Sequence, residues 1–124
     1  MKVTKTSRSK LDTTDFLNLP FGTVFSDHML VCNYKDGKWN EAEILPYGPI
    51  LMSPGAQVLH YGQSVFEGMK AFKNNSNEIL LFRKEENFKR LNQSAERLSI
   101  PVIEKSIFMN GLDNLLEIDS EWCK

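Results

Sequence analysis

Residues 85–98 read EENFKRLNQSAERL, and this stretch carries the strongest secondary-structure signal in the chain. Its apolar residues recur at steps of three and four, which places them on one stripe of an α-helix. The stripe consists of Phe88, Leu91, Ala95 and Leu98. Glu85 and Glu86 fall in the first turn, where the helix dipole favours negative charge, and Pro101 stops the pattern. The pattern therefore predicts a helix over 85–98.

The segments on either side predict a hairpin before this helix and a second helix after it. A polar cluster at 74–77 separates two runs, 69–72 and 78–82, as a hairpin loop does. Downstream, residues 106–118 repeat the helical spacing. The apolar face of this second helix consists of Phe108, Leu112, Leu115 and Leu116.

The first half of the chain predicts strands. Residues 36–37 (Asp-Gly) supply the positive φ angles that a tight hairpin needs, so 24–34 and 39–45 are expected to form its strands. We expect a short buried strand at 50–52 and a helical turn at 64–68. Because strands come first and helices after, the fold class is α+β: a small two-layer domain with an antiparallel-rich sheet and two helices.

The composition describes an ordinary globular chain of 124 residues, which suits one domain. Its formal net charge of −1 argues against a dedicated nucleic-acid binder. Two cysteines far apart in sequence favour a reducing compartment over a disulfide framework, and no apolar run reaches membrane-spanning length. We expect a flexible leader at 1–19, with a mitochondrial transit peptide as the alternative, and a folded domain over 20–124.

The residues alone offer few candidates for chemistry. Common nucleotide, zinc-protease and serine-hydrolase motifs are missing from the sequence. His60 beside Tyr61 is either an acid–base pair or a hydrogen-bonded pair in a loop, and Asp27 with His28 is either a metal or relay site or a strand-edge pair. Arg90 lies away from the apolar stripe of its helix. It is therefore either a solvated side chain or a planar donor fork that reaches an anion such as phosphate.

Four stretches, in this order and with these spacings, are typical of one enzyme family. They are FGTVFSDHML (21–30), YKDGKW (34–39), HYGQSVFEGMKAF (60–72) and FRKEENFKRLNQSAERLSIP (82–101). In these stretches the chain resembles the branched-chain amino acid aminotransferases, which are fold-type IV enzymes that use pyridoxal 5′-phosphate. The resemblance runs from about residue 20 to the C-terminus and implies the small N-terminal domain of that fold. Lys84 is a small departure, because the family often has proline there.

The resemblance implies roles for four residues. Arg90, in the N-x-x-R step that begins at Asn87, matches the arginine that binds the cofactor phosphate. The residues that match aromatics lining the pocket for the substrate's branched side chain are Phe21, Tyr61 and Phe66. Concave apolar surface suits an aliphatic group and separates leucine, isoleucine and valine poorly. Glu67 and Gly68 belong to the matched motif without an implied chemical role.

The resemblance also implies a reaction and partners. Such an enzyme transfers the amino group of leucine, isoleucine or valine to 2-oxoglutarate, in the cytoplasm and as a homodimer. The family's lysine that carries the cofactor lies on a second, larger domain. The chain is therefore expected to be an inactive fragment that contains no catalytic residue and exposes Tyr61 and Phe66. The alternatives are a stand-alone, non-catalytic binding domain, or a relative of the D-amino acid aminotransferases and aminodeoxychorismate lyases.

Overall fold

The computed structural model describes all residues from 1 to 124 and shows a mixture of short strands and helices. The strands are β1 (Lys2–Val3), β2 (His28–Val31), β3 (Tyr34–Lys35), β4 (Lys38–Trp39), β5 (Glu43–Pro46), β6 (Ala71–Lys73) and β7 (Ile79–Leu81). The helices are α1 (Gln57–Tyr61), α2 (Lys84–Arg97) and α3 (Lys105–Ile118), with single 3-10 turns at Leu11–Thr13 and Ser120–Trp122. The α+β class and the antiparallel-rich pairing are confirmed.

The chain divides into two compact units, with one boundary after Gly48 and the other within α3. The first unit comprises Met1–Gly48 with Met109–Lys124, and the second comprises Pro49–Phe108. The single domain expected over 20–124 stays a prediction.

Strand β5 is the centre of the three-stranded sheet in the first unit. β2 pairs with it antiparallel, with Leu30 opposite Ile44, and β1 pairs with its other edge in parallel. Ile44 is fully buried and is the largest fully buried side chain. The Thr4 N–H continues the pairing of β1 by donating to the Ile44 carbonyl at 2.9 Å. The segment predicted as a leader therefore begins on this sheet, while its expected flexibility stays a prediction.

The hairpin predicted from the Asp-Gly step is present, but its strands are shorter than expected. Asp36 and Gly37 have φ angles of 53° and 79°, which match the type I′ turn that suits the twist of a two-residue hairpin. The continuous strands predicted over 24–34 and 39–45 are wrong. β2 and β5 belong to one sheet, whereas β3 and β4 form a separate two-stranded sheet, so pairing is interrupted in both segments.

His28 links the start of β2 to the end of the first unit. Its Nδ1 lies 2.6 Å from Asp119 Oδ1, and its main-chain N–H donates to Oδ2 at 3.0 Å. The imidazole Nε2 accepts the Thr6 N–H at 2.9 Å, so the hydrogen-bond pattern assigns the ring proton to Nδ1. Because His28 and Asp119 are both buried, the pair forms an internal contact of the fold.

Asp27 forms a separate set of contacts beside His28. Its carboxylate accepts hydrogen bonds from the Ser9 hydroxyl, the Lys10 N–H and the Trp122 indole N–H. Burial favours the neutral acid, but these hydrogen bonds outweigh it and lower the pKa of Asp27. Asp27 and His28 therefore hold different parts of the first unit in place. These contacts agree with the interpretation of Asp27 and His28 as a structural pair at a strand edge.

Helix α2 in the second unit matches the predicted helix to within one residue at each end. It ends in a Schellman motif: the Ser99 N–H donates to the Glu96 carbonyl at 3.1 Å and the Ile100 N–H to the Ala95 carbonyl at 2.9 Å. Ser99 takes the left-handed position, with φ of 55°, that glycine usually occupies. Ala95 is buried, as its place on the apolar stripe predicts. Helix α3 begins at Lys105, one residue before the predicted start.

The segment before α2 contains one confirmed prediction and two that are wrong. β6 and β7 form the expected antiparallel hairpin. Residues 50–52 are exposed and unpaired with any strand, in a segment bounded by Pro49 and Pro54. Residues 64–68 form neither a helix nor a strand; Phe66 is exposed there, while the side chain of its neighbour Glu67 is mostly buried. Helix α1, which ends at the left-handed Gly62, was not predicted. No helix combines the length and apolar character that a membrane crossing requires.

Candidate functional site

Arg90 lies on the exposed face of α2 and pairs with one carboxylate. Its Nε donates to Glu67 Oε2 at 2.8 Å, and its Nη2 donates to Glu67 Oε1 at 2.7 Å. These two bonds use the Nε edge of the planar guanidinium. The N–H groups at its outer end, on Nη1 and the second N–H of Nη2, remain as a donor fork. The hydrogen bonds from Arg90 lower the pKa of Glu67 to about 2, against the opposing effect of burial. Both groups are therefore ionised at neutral pH.

Glu67 is held by the main chain around it. Its side chain is 14% exposed, and its Oε1 accepts the Gly68 N–H at 3.0 Å. The Gly68 carbonyl in turn accepts a hydrogen bond at 3.0 Å from Nδ2 of Asn87, which is 8% exposed. Asn87 and Arg90 are three residues apart on α2 and therefore share a face. The F-E-G and N-x-x-R motifs consequently contact each other, although the sequence shows them as separate signals.

An open groove of about 520 Å³ in the second unit is lined in part by Arg90. This volume lies within the range of small-molecule sites. The groove is lined by Gly68, Met69, Lys70, Phe72, Phe82, Arg83, Glu86, Asn87 and Arg90. Glu67 does not line it.

The charged side chains of this groove suit an anion. Lys70, Arg83 and Arg90 are cationic, and the one carboxylate among the lining residues, Glu86, is paired with Lys89 at 2.8 Å. Helix α2 begins at the groove, and its N-terminal dipole adds positive potential. A phosphate monoester presents several acceptor oxygens to such a donor fork. The residues present therefore fit the phosphate of the cofactor that the family resemblance implies.

The three aromatic residues predicted to line a substrate pocket lie elsewhere. Phe21 belongs to the first unit and is fully exposed. Tyr61 ends α1 and Phe66 directly precedes Glu67, and the two residues are 81% and 92% exposed. Neither Tyr61 nor Phe66 lines the groove beside Arg90. Their expected exposure is confirmed, while the pocket role of all three aromatics stays a prediction.

His60 and two residues without predicted roles complete the description of the site. The His60 Nε2 lies 2.7 Å from the Pro54 carbonyl, a local hydrogen bond that agrees with the structural interpretation of this residue. Glu67 and Asn87 were not predicted to support Arg90. The N-x-x-R spacing was the one local signal for Asn87. Nothing local links Glu67 to Arg90, because their contact spans a hairpin.

Comparison with known proteins finds the same family that the sequence motifs indicate. The chain is 46% identical over 123 residues to a protein named branched-chain-amino-acid aminotransferase 2 from Bacillus subtilis, which covers 98% of this chain and 33% of that protein. It is 50% identical over 105 residues to a probable branched-chain-amino-acid aminotransferase from Staphylococcus aureus strain N315, covering 84% of this chain and 29% of the relative. No family model matches the chain.

A more distant relative has the same name. A branched-chain-amino-acid aminotransferase from Mycolicibacterium smegmatis is 43% identical over 106 residues, which cover 85% of this chain and 29% of that protein. The resemblance inferred from the motifs is thereby confirmed. The chain spans about a third of the length of these relatives.

Proposed function

We propose that this chain, a relative of the branched-chain aminotransferases over nearly its whole length, is the N-terminal part of a branched-chain amino acid transaminase. The whole enzyme transfers the amino group of leucine, isoleucine or valine to 2-oxoglutarate, as a cytoplasmic homodimer. The names of the relatives support the reaction class, and the anion-binding geometry at Arg90 is the structural observation that carries the proposal.

Arg90 binds the phosphate of pyridoxal 5′-phosphate through the donor fork formed by Nη1 and Nη2. When bound, the cofactor supplies an electron sink for the α-carbon of the substrate. Lys70 and Arg83 raise the positive potential of the groove, and the start of α2 adds main-chain N–H groups. This part of the enzyme therefore binds and orients the cofactor.

The exposed aromatic residues supply the substrate-binding part of the proposal. Phe21, Tyr61 and Phe66 form apolar walls for a branched side chain once the rest of the enzyme is present. Their exposure in this chain supports that role, because large aromatic side chains favour burial against a neighbouring surface. The 124 residues alone do not transaminate, since the family's cofactor-carrying lysine belongs to the larger domain.

A hybrid enzyme tests the phosphate role directly. Residues 1–124 replace the matching third of the Bacillus subtilis relative, and leucine transamination and cofactor affinity are measured. Arg90→Ala removes charged hydrogen bonds, each of which contributes about 1.5–3 kcal/mol, so the dissociation constant of the cofactor should rise by about 10- to 100-fold. Arg97→Ala is the matched control, because Arg97 lies on the same helix outside the groove.

The aromatic residues should give the opposite pattern. Phe66→Ala should raise the KM for leucine several-fold while the dissociation constant of the cofactor stays within twofold. An unchanged cofactor affinity in Arg90→Ala contradicts the phosphate role. A hybrid that folds but transaminates only D-amino acids contradicts the branched-chain assignment.

A further inference from the structure

The contact between Glu67 and Arg90 is more than a surface ion pair. Exposed pairs between two mobile side chains contribute little, because both chains must be ordered to form them. Here the carboxylate is mostly buried and already tied to the Gly68 N–H, while the Arg90 side chain is 62% exposed. Glu67 is therefore the ordered partner, and it determines the position of the Arg90 side chain.

The position of the two groups relative to the groove decides what the pair can do. If the carboxylate occupied the place of the bound anion, Glu67 would line the groove and cover the end of the guanidinium. Instead Arg90 lines the groove and Glu67 does not. The Nε edge faces the carboxylate, so the Nη1 and Nη2 end stays available to a ligand.

Two effects of Glu67 on anion binding have opposite signs. Its negative charge repels an incoming anion, but solvent reaches Arg90 and screens this repulsion. Its two hydrogen bonds order a long side chain before the ligand arrives, which removes an entropy loss from binding. The low pKa of Glu67 keeps the carboxylate ionised across the physiological pH range, so its pairing with Arg90 does not depend on pH there.

We propose that Glu67 is a positioning residue that holds the Arg90 guanidinium edge-on, with its free donor fork directed into the groove for a phosphate group. The inference rests on the proposed function, which takes a phosphate monoester as the anion. It assigns a role to the F-E-G motif residue for which the family resemblance implied none. Asn87 supports the arrangement through Gly68.

Glu67→Gln tests the proposal, because glutamine keeps the size of the side chain. Its amide NH2 would face the donors of Arg90, so only one of the two hydrogen bonds can form. The full 124-residue chain is titrated with inorganic phosphate and separately with pyridoxal 5′-phosphate, and the Arg90 side chain is followed by its ¹⁵Nε NMR signal. We expect phosphate affinity to fall about three- to tenfold, the cost of ordering one long side chain at the moment of binding.

Glu86→Gln is the matched control. Glu86 lines the same groove and its removal changes the net charge equally, but its partner is Lys89. Loss of this carboxylate should raise phosphate affinity, because a negative charge that repels the anion is removed from the groove. The Nε signal of Arg90 should be sharp and slowly exchanging in the unsubstituted chain and in Glu86→Gln, and broadened only in Glu67→Gln.

The outcomes separate the positioning role from the phosphate site itself. Equal or tighter phosphate binding by Glu67→Gln overturns the proposal, as does an equal loss in Glu86→Gln or a lack of phosphate binding by the unsubstituted chain. If Arg90→Ala weakens binding while Glu67→Gln does not, the positioning role fails and the proposed function stands. If Arg90→Ala binds phosphate normally, the phosphate assignment in the proposed function is wrong.

Discussion

Asn87 connects helix α2 to the segment that carries Glu67, and its replacement should separate stability from site geometry. Asn87→Ala removes the 3.0 Å hydrogen bond to the Gly68 carbonyl. Gly68 is exposed, so water replaces the lost donor and the cost in unfolding free energy should be about 0.5–1 kcal/mol. Because the Glu67 segment loses its anchor to α2, phosphate affinity should fall about two- to fivefold.

Asn92→Ala is the matched comparison on the same helix. The Asn92 side chain donates to the Ile103 carbonyl and accepts the Ile103 N–H, both at 3.0 Å and partly buried. Loss of both hydrogen bonds should lower the unfolding free energy by about 1–3 kcal/mol, which is more than in Asn87→Ala, and should leave phosphate affinity unchanged. Urea unfolding followed by circular dichroism measures the unfolding free energy of each variant, and phosphate titration measures its phosphate affinity. The reasoning is refuted if both variants change phosphate affinity equally, or if the stability order is reversed.

Three further predictions concern packing, pH and the buried hydrogen bond between His28 and Asp119. Gly111→Ala places a methyl group 2.4 Å from Leu30 Cδ2, so an overpacking cost of about 1–3 kcal/mol should exceed the helix-propensity gain of about 1 kcal/mol. Urea unfolding should show a net loss for Gly111→Ala, and this loss should be smaller when the change is made in a Leu30→Ala background; a stabilised single variant would contradict this. The pKa of Glu67 is lowered to about 2 in the folded chain, from about 4.3 in the unfolded chain. The ionised carboxylate therefore contributes fully to stability above about pH 4.3, and this contribution is lost as the pH falls through about 2. The ¹³C NMR signal of the Glu67 carboxyl should titrate near pH 2, and a midpoint above 4 disproves the pairing of Glu67 with Arg90. His28→Ala leaves the buried Asp119 carboxylate with only a main-chain donor and should lower the unfolding free energy by about 3 kcal/mol, whereas a loss below 0.5 kcal/mol would show that the contact is not stabilising.

Local sequence patterns were enough to locate those helices and turns whose formation depends on neighbouring residues. The stripe through Ala95 predicted α2 to within a residue, and Asp36 with Gly37 predicted a tight turn, because helix period and turn geometry depend on neighbouring residues. The same patterns failed at 50–52 and 64–68. An apolar run such as 50–52 does not show whether it pairs with a strand, and the sequence at 64–68 does not show that the helical turn is missing.

The amino-acid sequence by itself therefore determined the α+β class, the main helices and the family to which the chain is related. It also singled out Arg90 as the residue that resembles a phosphate-binding arginine. Only the tertiary structure decided that Glu67 holds this guanidinium by one edge and that Asn87 anchors the Glu67 segment. The physical reason is that helix and turn formation are governed by contacts within a few residues. The orientation of a long, flexible arginine is instead determined by a carboxylate that the β6–β7 hairpin separates from it along the chain.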